Sequence, residues 1–557
     1  MKTLACLCIL LAACGGSDKP GNVRAQTTPA GVEVSWDAVF GAGSYSVQLV
    51  DFDNGRVGSA LVVRGTHAML PGSASGVWVD ALPGSRAVAA VTAGPTGGSA
   101  ATWQLFGPAD FAGGELEASF PTLQAGERLG VLLVHSGGSD NAQATVEVSG
   151  VASASASPAL TTGSKSALPL HSQHDALRAA QALVALPPAL ASAEAVSDGD
   201  RRGFCVVQGL DFSHRLRKPA TRALRTDHGD FFIDDEDLAH YSPDFIAQLG
   251  AAYESNVWPA DTTAFGMPTD VDANGRIIVL LTHELGAHLN GGWLIGYFGN
   301  ADLTNARDDS AGCSGNGSNH GEIVYLNDVQ NGAANGWSAA DLSSSIYPET
   351  LAHEIQHLLN LGHRCVEKSC DGPQETWLNE GLSKVAEDLA GYGWNSTIGR
   401  GEGARYLSRA TAAAALQGYD GRSLTVWEGD PIGSYQGVHS FVRFFADRIG
   451  VKVATQLALG AEVEMTLGRP WPRAMAEWAS ALLLSNEPGA PFSYTGGGWS
   501  PLHERLRALD TRTPGTAALR KDGIAAFLSG AGQGGPAKVT VHAADTWVVV
   551  VRTSALQ

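Results

Sequence analysis

The chain has 557 residues, of which 44% are hydrophobic and 17% are charged, as in ordinary globular proteins. A single hydrophobic core stops growing at roughly 250 to 300 residues, so this length predicts several domains. The formal net charge of -19 and the absence of any Lys/Arg cluster argue against a nucleic-acid partner, because phosphate binding requires a basic surface.

The first residues have the pattern of an export signal. Lys2 precedes an apolar run from Leu4 to Ala13, which is too short to span a membrane. The run ends in Leu-Ala-Ala-Cys14, which resembles the bacterial lipobox and implies removal of residues 1–13 and acylation of Cys14. A plain signal peptide is the alternative. We expect an exported lipoprotein of the cell envelope, held at the outer membrane or cell surface by this lipid, or released from it.

Four cysteines remain after the signal segment and Cys14 are set aside: Cys205, Cys313, Cys365 and Cys370. In an oxidising compartment they predict two disulfide bonds, and local spacing favours Cys365 with Cys370. A zinc ribbon is the competing interpretation. Such sites use two paired cysteine motifs, whereas this chain has one C-x4-C and two single cysteines.

Residues 20–105 predict a β-sandwich, because apolar and polar residues alternate as in strands that face one core. The apolar positions of the first two strands are Val32, Val34, Trp36, Tyr45, Val47 and Leu49. Together with the turn at residues 82–85, this pattern resembles a fibronectin type III domain, although Ala87 stands where that family usually has a tyrosine. The resemblance implies a spacer or an adhesive module.

The rest of the chain divides by composition. Residues 106–150 form a second β-rich segment, and residues 151–200 are rich in Ala, Ser and Pro, which indicates a linker. Residues 201–485 mix strands with amphipathic helices, as an α+β enzyme domain does. Residues 486–557 end in an alternating run that predicts a small C-terminal β element. The expected fold class is a multidomain chain with β modules before an α+β domain and a β extension after it.

The strongest motif is His353-Glu354-Ile355-Gln356-His357, which has the form HExxH. Pro348 near its start, an apolar stripe and Gly362 after it predict that the motif lies on a helix. Because residues four apart share a helix face, both imidazoles can bind one metal ion, with Glu354 beside the remaining coordination position. A pair of ordinary histidines on an amphipathic helix is the alternative.

A second amphipathic helix carries the sequence Trp-Leu-Asn-Glu380-Gly381. HExxH followed by this sequence resembles the gluzincins, and more closely the hyicolysin-like neutral metallopeptidases, over about residues 220–485. The resemblance implies a zincin catalytic domain, one catalytic Zn²⁺, and His353, His357 and Glu380 as its ligands. The interval before Glu380 is a few residues longer than in the related aminopeptidases. Gly381 is expected where two helices approach closely.

The expected function is a zinc-dependent metalloendopeptidase that acts on a protein or peptide substrate. Zinc would polarise the scissile carbonyl and activate a water molecule, with Glu354 as general base. In gluzincins a Tyr or His from a later segment stabilises the oxyanion; Tyr435 and His439 are the candidates here, and Tyr435 is the first choice. Glu387 lies on nearly the same helix face as Glu380, where it would orient a ligand or be solvated.

Three alternatives stay open. His363 would replace Glu380 as the third ligand in a metzincin with Asn360 at the sharp turn, but no methionine follows soon enough for the turn of that group. An aminopeptidase is the second alternative, and the G-x-M-E-N-type motif that binds a substrate amine is absent from the sequence. The third is a catalytically silent surface-binding lipoprotein, against which the intact motif argues.

Two further segments carry weaker signals. Residues 270–275, Asp-Val-Asp-Ala-Asn-Gly, have the opening spacing of a calcium loop. Leu281 stands at position twelve, where an EF-hand requires glutamate, so an ordinary turn is favoured over a Ca²⁺ site. Residues 321–327 predict a strand, either at a sheet edge that pairs with substrate or in a sheet interior.

Overall fold

The protein is described here by a computed structural model. The described residues are 19–39, 42–52, 56–82, 86–92, 103–138, 140, 142–152, 201–208, 211–286, 294–305, 307–310, 312–313, 317–334, 336–368, 374–393, 422–426, 431–484, 492 and 514–553. The predicted signal peptide, Cys14, Cys370 and residues 153–200 of the predicted linker lie outside them. In this part of the chain, no helix is long and apolar enough to cross a membrane.

The N-terminal module consists of strands, and its core follows the predicted alternation. The strands are β1 (Arg24–Thr28), β2 (Gly31–Ser35), β3 (Ser44–Asp51), β4 (Arg56–Val57), β5 (Leu61–Val63), β6 (His67–Leu70), β7 (Gly76–Leu82) and β8 (Arg86–Thr92). They lie in the order β4-β3-β7-β8-β1-β2-β6, with β5 beside β3. Val32, Val34, Tyr45 and Val47 are buried in one core. The module is all-β, and its assignment to fibronectin type III stays a prediction.

Four strands follow this module, and none of them pairs with another of the four. They are β9 (Trp103–Phe106), β10 (Glu115–Leu123), β11 (Arg128–His135) and β12 (Ala142–Ser149). The first begins within residues 20–105, close to the predicted end of the N-terminal module. Residues 106–150 therefore do not build a sheet by themselves, and their strands take partners from elsewhere in the chain.

The α+β region is built on a mixed sheet with both faces covered. Its strands are β13 (Arg201–Gln208), β14 (Asp211–Arg225), β15 (Gly229–Asp234), β16 (Ile277–Thr282), β17 (Gly296–Phe298) and β18 (Ile323–Asn327), in the order β13-β14-β15-β16-β18-β17. β15, β16 and β18 are parallel, whereas β17 runs antiparallel to β18. All residues of β16 are buried because helices cover one face and a second apolar cluster the other. β18 lies between β16 and β17, so residues 321–327 belong to the sheet interior and not to an edge that pairs with substrate.

Helices cover one face of this sheet and contain the HExxH motif. They are α1 (Pro243–Ala252), α2 (Trp258–Phe265), α3 (Asn300–Thr304), α4 (Val329–Ala334), α5 (Ala339–Asp341), α6 (Tyr347–Leu361), α7 (Thr376–Leu389), α8 (Pro431–Ile449), α9 (Lys452–Ala458), α10 (Val463–Leu467) and α11 (Trp471–Leu484). α6 packs beside β17 and β18 and against α7, which in turn packs against α8. The motif therefore lies between the sheet edge and two further helices.

The end of the chain completes a domain that β9 to β12 begin. Its strands are β19 (Thr516–Leu519), β20 (Gly523–Leu528), β21 (Gly535–His542) and β22 (Thr546–Thr553). One sheet has the order β10-β21-β12-β19 and the other β20-β11-β22-β9, and side chains of both sheets share one core. The β-rich segments expected at 106–150 and 486–557 thus contribute strands to one sandwich, and sequence did not predict this pairing because partners separated by the whole α+β region leave no local signal.

This split sandwich also packs against the α+β region. Alternate residues of β11 face opposite ways, so the strand contributes to two cores: Val131 and Leu133 face the sandwich, whereas Leu132 and Val134 join the helical core. The indole of Trp103 donates a hydrogen bond to Ser480 on α11 over 2.8 Å. The continuous apolar run of β11 is thus explained by burial on both faces.

A disulfide bond joins distant parts of the α+β region. Cys205 in β13 and Cys313 are bonded, with their Cα atoms 5.7 Å apart. Cys365 is also disulfide-bonded, and Cys370, its predicted partner, lies outside the described residues. The first bond agrees with the prediction that these cysteines form disulfide bonds.

Candidate functional site

The HExxH motif lies in the middle of α6, a helix with every residue buried. Pro348 occupies the first turn, and the apolar stripe of Leu351, Ile355 and Leu358 is fully buried. His353 and His357 share one face, as their spacing predicts, and their ring centroids are 4.8 Å apart. Potential ligand atoms of His353, Glu354 and His357 all lie within 4.8 Å of one another.

Glu380 approaches both histidines from α7. Its Oε2 lies 3.1 Å from Nε2 of His353, and its Oε1 lies 3.7 Å from Nε2 of His357. Its side chain is fully buried. Two imidazole nitrogens and a carboxylate are the donor set that catalytic zinc sites use, and a fourth position is left for water or substrate. These residues therefore fit a zinc ion.

Gly381 explains how Glu380 reaches this position. A Cβ atom at Gly381 would lie 2.7 Å from Cγ2 of Val442 and 3.0 Å from the carbonyl oxygen of Val438, both on α8. The absence of a side chain lets α7 and α8 approach closely, as the sequence predicted. Close packing of α8 behind α7 fixes the face that carries Glu380.

Each histidine is held by a second polar group. Nδ1 of His353 lies 2.8 Å from Oε1 of Glu387, and Nδ1 of His357 lies 3.2 Å from Oδ1 of Asn379. With a metal ion bound, donation from both Nδ1 atoms would leave the Nε2 lone pairs for the ion, the tautomer that a histidine ligand needs. Glu387 is buried and paired with Lys384, so the alternative of a solvated glutamate was wrong.

The charges of these groups depend on one another. Burial alone would lower the pKa of His353, but hydrogen bonds to Glu380 and Glu387 outweigh it and raise the pKa to about 9. Burial would raise the pKa of Glu387, but the charge of Lys384 and the hydrogen bond to His353 hold it well below its usual range. The metal-free cluster therefore carries a proton that a bound metal ion would displace.

Tyr435 lies beside the cluster, and His439 is part of a different network. The ring centroid of Tyr435 is 6.2 Å from that of His353, and its side chain is buried. His439, one turn further along α8, has Nε2 2.7 Å from Oδ2 of Asp388, which also pairs with Arg443. Of the two candidates for oxyanion stabilisation, Tyr435 therefore lies beside the histidine cluster.

His363 lies beyond α6, in a π-helical turn formed by Gly362–Val366. Asn360 is still helical, so the sharp turn of a metzincin is not formed there. Helical continuation places His363 about 9 Å along the axis from His357. Its Nδ1 lies 2.9 Å from Oε2 of Glu367. This geometry favours Glu380 over His363 as the third ligand.

Sequence reasoning missed several groups that support the site. Oγ of Ser383 lies 2.9 Å from Nδ1 of His357 and donates to Oε1 of Gln356 over 2.6 Å. Lys384 pairs with Glu387 and lies 3.9 Å from Glu349. Ser383 and Lys384 follow Glu380 by three and four residues, which puts them on its side of α7, so helical spacing was the signal that could have found them.

Glu322, which is distant in sequence, lies beside the loop at residues 270–275. Its turn uses positive φ angles at Ala273 (56°) and Gly275 (68°). Potential ligand atoms of Asp270, Asp272 and Glu322 all lie within 4.8 Å of one another. Burial raises the pKa of the Glu322 carboxyl to about 7. Glu322 lies outside the loop in the sequence, so the spacing of a calcium-loop motif could not identify it.

Sequence comparison relates part of the chain to a known protein. No protein-family model matches the chain. A stretch of 201 residues, 36% of the chain, is 24% identical to the neutral metalloprotease ShpI of Staphylococcus hyicus. The match spans 41% of that protein's length. The match is too short and too distant to assign the chain to a family, so the hyicolysin-like assignment stays a prediction.

Proposed function

We propose that the chain is a zinc metalloendopeptidase of the gluzincin type. The observation that carries this proposal is the approach of Glu380 on α7 to the Nε2 atoms of both motif histidines. His353, His357 and Glu380 would hold the ion. The position of α6 beside a mixed sheet with an antiparallel outer strand supports a zincin catalytic domain over residues 201–485.

The chemistry follows from the positions of the side chains. A zinc ion held by these residues would supply a Lewis acid that activates water and polarises the scissile carbonyl. The carboxylate of Glu354 accepts a proton from the attacking water and then donates it to the nitrogen of the leaving amine. The hydroxyl of Tyr435 donates a hydrogen bond to the oxyanion. Glu387 and Asn379 keep the imidazoles in the orientation that binding requires.

The test uses the full-length chain, because a chain that begins at residue 201 would lose the strands that pair with β19 to β22. Wild type, Glu354→Gln, Glu380→Ala and His363→Ala are compared for zinc content and for cleavage of an N-terminally acetylated, internally quenched peptide. We expect about one zinc per chain in wild type. Glu354→Gln should retain zinc and lose activity roughly 10²- to 10⁴-fold.

The two remaining variants distinguish the third ligand. Glu380→Ala should lose zinc, while His363→Ala should keep both zinc and activity. Loss of zinc in His363→Ala with retention in Glu380→Ala would establish the metzincin alternative. Wild type that binds no zinc would reject the protease proposal in favour of a surface-binding role.

We further propose that the enzyme is exported and anchored through a lipid on Cys14, with the N-terminal β module as a spacer. The disulfide between Cys205 and Cys313 supports an oxidising compartment. Metabolic labelling with an alkyne-bearing fatty acid should mark wild type and not Cys14→Ser. Equal labelling of the two would reject the anchor.

A further inference from the structure

The loop at residues 270–275 directs carboxylates towards one point. It joins α2 to β16, and its own backbone N–H groups orient these carboxylates: Gly275 donates to Oδ1 of Asp270 over 2.9 Å, and Asn274 donates to Oδ1 of Asp272 over 3.3 Å. Asp270 is exposed, whereas Asp272 is 1% exposed. The turn alone would explain these contacts without any ion.

Glu322 supplies the observation that a turn does not explain. It precedes β18, is 1% exposed, and its Oε1 accepts hydrogen bonds from Thr269 Oγ1 over 2.7 Å and from Val271 N over 3.1 Å. Its Oε2 is buried and has no hydrogen-bond partner among the described residues. A buried carboxylate oxygen without a partner is costly, so this oxygen needs a donor or a cation.

The charges at this point are incompletely balanced by the protein. Asp270, Asp272 and Glu322 contribute three carboxylates. Arg202 provides a cation, with Nη1 3.6 Å from Oδ2 of Asp272. A divalent ion would bring the sum of these charges to zero. By contrast, the carboxylate cluster around Asp234 contains Lys218, whose Nζ lies 3.0 Å from Glu284 and 3.6 Å from Asp234.

We propose that Asp270, Asp272 and Glu322 form a structural Ca²⁺ site. All three donors are oxygens, which favours a hard cation over zinc, and exposure of Asp270 leaves room for the water ligands that Ca²⁺ adds to its coordination. Glu322 takes the place of the missing glutamate at position twelve, because the adjacent strand brings it to the loop. This proposal does not rest on the zinc site or on catalysis.

The site would connect the sheet to the end of α6. The backbone N–H of Ile278 in β16 donates to the carbonyl oxygen of Glu322 over 2.7 Å. A Cβ atom at Gly362 would lie 3.2 Å from Cγ2 of Thr269, so the loop packs directly against the turn that follows α6. Calcium binding would therefore stabilise the folded α+β region without contacting the substrate.

The experiment uses full-length, zinc-loaded protein that carries Glu354→Gln to prevent self-digestion. After passage over a calcium-chelating resin, it is titrated with CaCl₂ in a calorimeter and melted with CaCl₂ or MgCl₂. We expect one Ca²⁺ per chain and a rise in Tm of about 5 °C at saturation, with a smaller rise for Mg²⁺.

Two variants and a matched control locate the ion. Glu322→Gln and Asp270→Asn should each weaken calcium binding at least about tenfold and abolish the Tm rise. Asp270 is exposed, so the second variant is expected to fold in any case. Glu284→Gln makes the same change at a carboxylate that is 5% exposed and should keep the wild-type response. A wild type without calcium response, or site variants that respond like Glu284→Gln, would overturn the proposal.

Discussion

Two clusters in the α+β region share one design. Each combines a short local motif with one glutamate that is distant in sequence. The helix motif of α6 is met by Glu380 from α7, and the loop at residues 270–275 is met by Glu322 from the start of a strand. The first cluster combines imidazole nitrogens with carboxylates and is buried; the second contains only oxygens and has an exposed member. Donor chemistry thus separates a candidate zinc site from a candidate calcium site, although both are rich in carboxylates.

The clusters also differ in what holds their side chains. His353 and His357 are oriented by side chains of α7, so the first cluster depends on helix packing. Asp270 and Asp272 are oriented by backbone N–H groups of their own loop, so the second depends on a turn. Substitutions in α7 and α8 should therefore change zinc binding or catalysis and leave calcium binding intact.

The largest effect expected from a residue outside the HExxH motif is a loss of catalysis without a loss of metal. Tyr435→Phe should lower kcat roughly 10²- to 10³-fold because the oxyanion loses a hydrogen-bond donor, while both metals still bind. Steady-state kinetics, zinc content and calcium titration measure the three quantities. Tyr253→Phe, which removes a hydroxyl bonded to the carbonyl of His228, is the control and should leave kcat unchanged. An unaltered kcat in Tyr435→Phe would assign Tyr435 to packing only.

Glu387→Gln should weaken zinc binding roughly 10- to 100-fold, because the amide no longer provides a charged acceptor for His353. Competition with a chromogenic zinc chelator measures the dissociation constant, and calcium titration should give the wild-type value. Glu349→Gln changes another buried carboxylate near Lys384, does not remove the His353 contact, and serves as control. Equal zinc affinity in Glu387→Gln and wild type would contradict an orienting role.

Asp388 should make stability depend on acidity. Burial would raise its pKa, but Arg443 and His439 lower it to about 2. A carboxyl with a depressed folded-state pKa stabilises the fold above its unfolded pKa and loses this contribution as pH falls through the folded value. The free-energy advantage of wild type over Asp388→Asn, measured by urea unfolding of metal-free protein, should fall by about 2 kcal/mol between pH 5 and pH 2. A free-energy difference that stays constant between pH 5 and pH 2 would show that Asp388 is not charged in the folded protein.

The smallest effect is expected for Gly381→Ala. The added Cβ would press α7 away from α8, at a net cost of about 1–2 kcal/mol after the gain in helix propensity. Chemical denaturation measures the change, and zinc affinity should fall with it. Adding Val442→Ala removes the clash with the Val442 side chain and should recover part of the lost stability. Recovery should be incomplete because the close contact with the Val438 carbonyl remains. A Gly381→Ala variant as stable as wild type would mean that α7 can move away from α8 at no cost in stability.

Local patterns predicted the elements of the candidate zinc site well. The apolar stripe with Pro348 and Gly362 predicted α6, and the recurrence of Leu378, Leu382 and Val385 predicted α7. Spacing within a helix determines which side chains share a face, so the approach of His353 to His357 could be read from sequence. The role of Glu380 came from resemblance, because nothing in the spacing fixes how two helices pack.

Contacts between distant segments could not be predicted in the same way. β10 and β12 both pair with β21, which follows them by the whole α+β region, and alternation in a strand does not identify its partner. Glu322 was missed for a related reason, since the adjacency of β16 and β18 brings it to the loop. Asn379 belongs to the motif on α7. Its contact with His357 could not be predicted, because it depends on the rotation of α7 about its axis.

The split sandwich has a consequence for any backbone cleavage in residues 153–200. Hydrolysis there would divide the chain into two fragments, yet β9 to β12 would stay hydrogen-bonded to β19 to β22 in the other fragment. The products would remain one particle until the sandwich itself unfolded. The lipid proposed for Cys14 would then still hold the fragment that contains α6 at the membrane, so processing of this stretch and release from the cell would be separate events.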